Sequence, residues 1–172
     1  MNRCVFFDRD GTINIDYGYV YQKDNFVFRK NIINAIKILK RNDYLVIVVT
    51  NQSGIARGYY TERDVQLLHE YMNNVLNGYG TAIDAFYYCP HYKGGVVEKY
   101  AKECNCRKPD IGMFEKAKHD WDVDLNQSYM IGDSAIDMQA GYNANLKEVF
   151  MVNEDNILEI VNRIVNANKI QR

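Results

Sequence analysis

The sequence predicts an α/β fold: a doubly wound, Rossmann-like parallel sheet flanked by helices. Three observations carry this. Short apolar runs recur at 5–7, 44–49, 85–88, 129–131 and 149–152, long enough for buried strands and too short for helices. Segments with apolar residues at helical spacing separate them, so strand and helix alternate throughout. The run Tyr44–Val49 is apolar at successive positions, as a strand covered on both faces requires. With 172 residues and no internal repeat or low-complexity stretch, one domain spanning 1–172 is expected.

The first strand, Val5–Phe7, runs into Asp8–Arg9–Asp10–Gly11–Thr12, where Gly11 marks the turn. Cys4 beside it reads as a small buried apolar residue. Ile13–Phe28 is a loop rich in Tyr, Asp and Asn. A helix follows at about 29–42, with Ile32, Ile33, Ile36 and Leu39 on one face. The second strand closes on Thr50–Asn51–Gln52–Ser53–Gly54. Thr61 and Asp64 form a capping-box pattern for a helix carrying Val65, Leu68, Met72 and Val75 and ending near Gly78. Ala85–Tyr88 is the third strand. Cys89 to Pro109 is irregular and holds both prolines. Asp110 is expected to cap a short helix whose apolar face is Phe114, Ala117 and Trp121. The fourth strand, Tyr129–Ile131, ends in Gly132–Asp133, and Ser134 starts another helix. Val149–Val152 is the fifth strand, and Asp155 is expected to cap a last helix bearing Ile157, Ile160, Val161 and Ile164. His69 and His119 read as ordinary helix-surface residues.

A formal charge of -1 gives no electrostatic reason to expect nucleic acid or an anionic membrane as partner. No apolar run approaches the length that spans a bilayer, and the chain passes straight from Met1 into a strand, so a cytoplasmic protein without a signal peptide is expected. No exposed apolar stripe stands out, which favours a monomer.

The chemistry collects where strands end. In a parallel sheet Asp8 and Asp10, Thr50 and Asn51, and Asp133 all come to one edge, where open α/β sheets bind ligands. Lys108, just ahead of a helix start, joins them. Two carboxylates one residue apart repel by roughly 4 kcal/mol at about 4 Å and an effective dielectric near 20. Mg²⁺, a hard ion preferring oxygen, relieves that repulsion. Three carboxylates, a hydroxyl, an amide and an ammonium suit phosphoryl transfer, with Asp133 completing the Mg²⁺ shell and Thr50 and Lys108 holding phosphate oxygens. Each residue alone has a plainer reading: an Asp–Gly turn, a hydroxyl at a strand end, a surface lysine. Their joint placement after successive strands favours the site. Asp137 either caps the helix that Ser134 starts or supports the metal from behind. A second set, Cys89, His91, Cys104 and Cys106, gives two close ligand pairs across one loop, as tetrahedral Zn²⁺ requires. Four protein ligands leave no open position, so this zinc is expected to be structural, pinning the loop that carries Arg107 and Lys108.

In Asp8–Arg9–Asp10–Gly11–Thr12, Thr50–Asn51, Lys108 and Gly132–Asp133–Ser134–Ala135–Ile136–Asp137 the chain resembles the haloacid-dehalogenase-like (HAD) phosphatases. In Asp16–Tyr17–Gly18–Tyr19, Thr50–Gly58, Cys89–Pro90–His91 and Cys104–Pro109 it is similar to the D-glycero-D-manno-heptose 1,7-bisphosphate phosphatases among them. The resemblance covers the chain from the first strand to about residue 150 and implies Mg²⁺-dependent hydrolysis of the C7 phosphate, in nucleotide-heptose biosynthesis. It implies Asp8 as nucleophile, forming an aspartyl-phosphate, and Asp10 as acid and then base. Mg²⁺ would be held by Asp8, the main-chain carbonyl of Asp10, and Asp133. Asp16, Tyr17, Gly18, Tyr19, Asn51, Gln52, Ser53 and Arg107 are implied substrate contacts, the planar fork of Arg107 suiting a second phosphate. Ser134 stands where some members carry a Lys that touches substrate. The connections are too short for the cap domain many members have, so the site should be open. Two other readings stand beside this one. Histidinol-phosphate phosphatase shares the domain and zinc loop but differs in the loop after the second strand. A zinc-stabilised phospho-switch without turnover has no use for Asp10 or for the Thr50–Lys108 pair.

Overall fold

The computed structural model describes residues 1–169. Five strands, β1 (Cys4–Phe7), β2 (Leu45–Asn51), β3 (Ala85–Cys89), β4 (Tyr129–Gly132) and β5 (Glu148–Met151), pair in parallel in the order β3-β2-β1-β4-β5. The helices are α1 (Ile32–Arg41), α2 (Glu62–Gly78), α3 (Gly112–Trp121), α4 (Ala135–Asn143) and α5 (Ile157–Lys169). This is the doubly wound sheet the alternation predicts. It arises because β1 is apolar at every position and successive side chains point to opposite faces. Val5 and Phe7 pack with residues of α1, α2 and α5, while Cys4 and Phe6 pack with residues of α3 and α4. Phe6 meets Phe114 of α3 edge-on, at 4.9 Å between ring centroids. Cys4 is buried, as expected. Among the described residues no helix is long and apolar enough to cross a membrane.

The strands differ in length from the sequence expectation in one respect that matters. β2 continues through Thr50 and Asn51, which pair with Tyr88 and Cys89 of β3. A polar residue joins a buried strand readily when the neighbouring strand satisfies its backbone. The strand order reverses its winding between β1 and β4, so a crevice opens at their carboxyl ends.

Helix starts show where local signals mislead. Thr61 does cap α2 in a capping box with Asp64. Asp110, in contrast, does not cap α3. Its N–H closes a turn onto Arg107, the Gly112 N–H bonds the Asn105 carbonyl at 2.8 Å, and Ile111 occupies the cap position. Asp155 does not cap α5 either: Asn153 and Asn156 close that turn on each other, and the Asp155 carboxylate faces Lys30 at 3.6 Å. α1 begins at Ile32, behind Asn31, whose positive φ of 65° breaks the helix there.

Candidate active site

Asp8 leaves the end of β1 with its N–H on the Ile131 carbonyl of β4, at 3.0 Å. Lys108 reaches it from the loop after β3. Its Nζ lies 2.7 Å from Asp8 Oδ1 and 2.6 Å from Asp137 Oδ1, and the residue is 3% exposed. Asn51 holds this lysine in place: its side chain accepts from the Lys108 N–H at 2.9 Å and donates to the Lys108 carbonyl at 3.1 Å. Asp133 follows β4. Gly11, at φ 81°, lets it approach, because a Cβ there would stand 2.1 Å from Asp133 Oδ2. Asp8, Asp133 and Asp137 each present an oxygen, all within 4.8 Å of one another.

Burial pushes the Asp8 carboxyl up to about 7; Asp137 and Asp10 add to this, and Lys108 opposes it. Burial, then Asp137, also raises Asp133. Burial pulls the Lys108 ammonium down, but Asp8 and Asp137 outweigh it and the net shift is upward. One ammonium among three carboxylates leaves an excess of negative charge on hard oxygen donors. That donor set fits a magnesium ion. Asp137 fills the capping role weighed from sequence and adds a contact to Lys108. Its Oδ2 accepts from the backbone and hydroxyl of Ser134 in the capping box of α4, while its Oδ1 holds Lys108.

Asp10 turns away from this trio. Its carboxylate accepts from Arg9 Nη2 at 2.9 and 3.0 Å, from Asn14 Nδ2 at 3.0 Å and from Gln52 Nε2 at 2.9 Å. Gln52, expected against substrate, lines the cleft but is buried. Its amide also donates to Thr50 Oγ1 at 2.9 Å and accepts from the Tyr60 hydroxyl at 2.6 Å. His69 is a correction: it is 5% exposed, stacked on Phe86 and facing Arg9 Nη1 at 3.4 Å. It lies on the same helical face as Val65, Leu68 and Met72, and that spacing was the available signal of burial. Arg9 itself carried no such signal, although it is wholly buried.

Asp8, Asp10, Thr50, Lys108, Asp133 and Asp137 floor a cleft of about 410 Å³. Asp16, Gly18, Tyr19, Asn51, Ser53, Arg107 and Ser134 line it with the catalytic candidates, as do Tyr60 and Ile136, which sequence did not single out. Tyr17 does not line it and is exposed. The 16–19 loop is shaped by Asp16, whose carboxylate accepts the Gly18 N–H at 2.8 Å, and Tyr19 rests edge-on against Tyr59. Arg107 lies over the Tyr92 ring, which Arg57 also covers. The Ser134 hydroxyl is engaged in its helix cap.

Cys89, His91, Cys104 and Cys106 converge. The sulfurs stand 3.0 to 3.5 Å apart and His91 Nδ1 lies 3.3 Å from Cys106 Sγ. A tetrahedron of Zn–S bonds has edges of about 3.8 Å. The four ligand atoms lie within 4.8 Å of one another, a donor set that fits one tetrahedral ion. The hydrogen bond between Cys89 and Cys106 lowers the Cys106 thiol and raises that of Cys89, so the pair shares its proton unequally.

A family model described as polynucleotide kinase 3 phosphatase matches residues 3–161. The chain is similar to the D-glycero-beta-D-manno-heptose-1,7-bisphosphate 7-phosphatase of Haemophilus ducreyi: 48% identical over 151 residues, 87% of this chain and 82% of that one. Among solved structures, a putative HAD-like phosphatase from Mesorhizobium loti superposes with a TM-score of 0.89 at 29% identity, over 96% of this chain and 87% of that one. The D,D-heptose 1,7-bisphosphate phosphatase of B. bronchiseptica, complexed with magnesium and phosphate, superposes with a TM-score of 0.79 at 31% identity, over 94% and 86%.

Proposed function

Because the chain belongs to the HAD-like phosphatases, in the family of the D-glycero-beta-D-manno-heptose-1,7-bisphosphate 7-phosphatases, we propose that it hydrolyses the C7 phosphate of that bisphosphate to heptose 1-phosphate. The names of its relatives specify the beta anomer, which residue types alone did not distinguish. The observation that carries the reading is Lys108, buried between Asp8 and Asp137 beside Asp133 at the crevice between β1 and β4.

Asp8 attacks phosphorus with a carboxylate oxygen, and the bond from phosphorus to the sugar oxygen breaks. Asp10 gives that departing oxygen its proton. Asp10 then takes a proton from water, the water oxygen attacks phosphorus, and the bond to Asp8 breaks to release phosphate. Lys108 and Thr50 face the phosphoryl oxygens, and Arg107 takes the second phosphate through its fork. Mg²⁺, held by Asp8, the Asp10 carbonyl and Asp133, supplies charge neutralisation when bound. Zn²⁺ on the four-residue cluster has a structural role. The protein acts in the cytoplasm as a monomer on a small sugar bisphosphate, with neither nucleic acid nor membrane as partner.

Asp8→Asn tests this. Release of inorganic phosphate from the bisphosphate, and from an aryl phosphate with and without Mg²⁺, should fall by more than about 10³-fold while the fold persists. Substantial turnover by that variant refutes the assignment. No Mg²⁺-dependent phosphate release by the unmodified protein identifies a binding module instead.

A further inference from the structure

Arg9 sits between the two aspartates and is the largest fully buried side chain among the described residues. It is not at the cleft surface, so it has no route to substrate. Two of its three guanidinium nitrogens nevertheless reach Asp10. Nε and Nη2 both reach Asp10 Oδ1, at 3.2 and 2.9 Å, and Nη2 also reaches Oδ2 at 3.0 Å. Nη2 is anchored on the Val20 carbonyl at 2.5 Å and lies 3.5 Å from Gln52 Oε1. Nη1 ends on His69 Nε2. Arginine has no acceptor, so that ring nitrogen accepts and the histidine carries its proton on Nδ1.

We propose that Arg9 is a positioning residue for the Asp10 carboxylate, held in register by the Val20 carbonyl and His69, and that with Gln52 it fixes which oxygen Asp10 turns to the cleft. This rests on the acid–base role given to Asp10 above. The Asp10 side chain is 22% exposed, so part of it faces solvent while donors grip it from below. A carboxylate on a short stem rotates freely unless its oxygens are engaged; Asn14 holds Oδ1 and Gln52 holds Oδ2, and Arg9 is the charged donor that bridges both. Lysine lacks the planar fork that does so. An acid displaced by about 1 Å loses on the order of a hundredfold in rate.

The effect has a signature that a purely structural ion pair lacks. A nitrophenolate leaves phosphorus with little help from an acid, whereas an alkoxide needs the proton. Both substrates then need Asp10 to activate water. In Arg9→Met, p-nitrophenyl phosphate should give a burst of about one nitrophenolate per enzyme followed by turnover slowed about a hundredfold. A simple alkyl phosphate should show no burst and a phosphorylation step slowed by a similar factor. Arg9→Lys should behave like Arg9→Met. If Arg9→Met folds cooperatively and turns over both substrates at the unmodified rate, or slows both equally with no burst, the proposal is overturned. Should the Arg9 variants not fold, His69→Leu and His69→Gln decide. Leucine removes the acceptor of Nη1 and should slow the phosphorylation step of the alkyl phosphate by about tenfold, while p-nitrophenyl phosphate keeps its burst ahead of a similarly slowed turnover; glutamine restores both. Unmodified rates of His69→Leu with both substrates, or slowing of both with no nitrophenolate burst, overturn the proposal. Asp8→Asn run in parallel separates the two failures: if that variant turns over, the aspartyl-phosphate reading is what falls.

Discussion

At the scale of single residues, the site is built from charges taken out of water and matched. Lys108 pairs with two carboxylates, Arg9 with one, and His69 closes the Arg9 network as a neutral ring. Burial, helped by the Arg9 charge, holds His69 well below its ordinary value of 6.5. The unfolded chain regains that ordinary value, so below about pH 6.5 it binds a proton the folded protein does not. Stability from this group is therefore complete above pH 6.5 and is lost as pH falls through it. Comparing urea midpoints of the unmodified protein and His69→Gln at about pH 7.5 and pH 5.5 isolates the term. The unmodified protein should lose on the order of 1 kcal/mol more than the variant. Parallel losses in the two would show that His69 is not held neutral. Asn51 shows how little a residue type says about what its side chain does. Expected as a substrate contact, it commits both ends of its amide to the Lys108 backbone.

At the scale of elements, two helix starts share one pattern and differ in consequence. Thr61 with Asp64 only begins α2, whereas Ser134 with Asp137 begins α4 and also delivers a carboxylate to Lys108. The cap thereby ties the first turn of α4 to the loop after β3. That loop has few apolar residues of its own to pack, and the Cys89–His91–Cys104–Cys106 cluster closes it ahead of Arg107 and Lys108. Cys104→Ala should lower bound zinc, the melting temperature and, through a displaced Lys108, the turnover rate. Full zinc occupancy with an unchanged melting temperature would remove the proposed metal site. His91 matters here in a second way, because its carbonyl accepts from Arg107 Nη1 at 3.3 Å.

At the scale of the whole molecule, loops rim the cleft, and the proposed specificity would rest on them. The parallel order β3-β2-β1-β4-β5 brings the ends of β1, β2 and β4 to one edge, and the loops after them supply Tyr19, Ser53 and Ser134 to its rim, with Arg107 from the loop after β3. A substrate with a second phosphate for Arg107 should therefore be preferred. The kcat/KM for the beta heptose bisphosphate should exceed that for histidinol phosphate by at least about tenfold, since a charge-assisted fork contributes about 1.5 kcal/mol or more, on the order of a tenfold preference. The opposite ranking would assign the cleft to the amino alcohol phosphate. Strand alternation, the carboxylates at strand ends and the grouping of Cys89, His91, Cys104 and Cys106 were legible in the linear chain, because each depends on local period or spacing. The false caps at Asp110 and Asp155 were legible only as patterns, since a neighbouring carbonyl or asparagine pre-empted them. Residue types by themselves determined which chemistry is present: oxygen donors, thiols, an ammonium, a fork. Only tertiary packing decided that Arg9 meets His69 from sixty positions away and that Asp137 meets Lys108. Such contacts follow from which strands lie side by side and how tightly helices cover them, and no local sequence period encodes that.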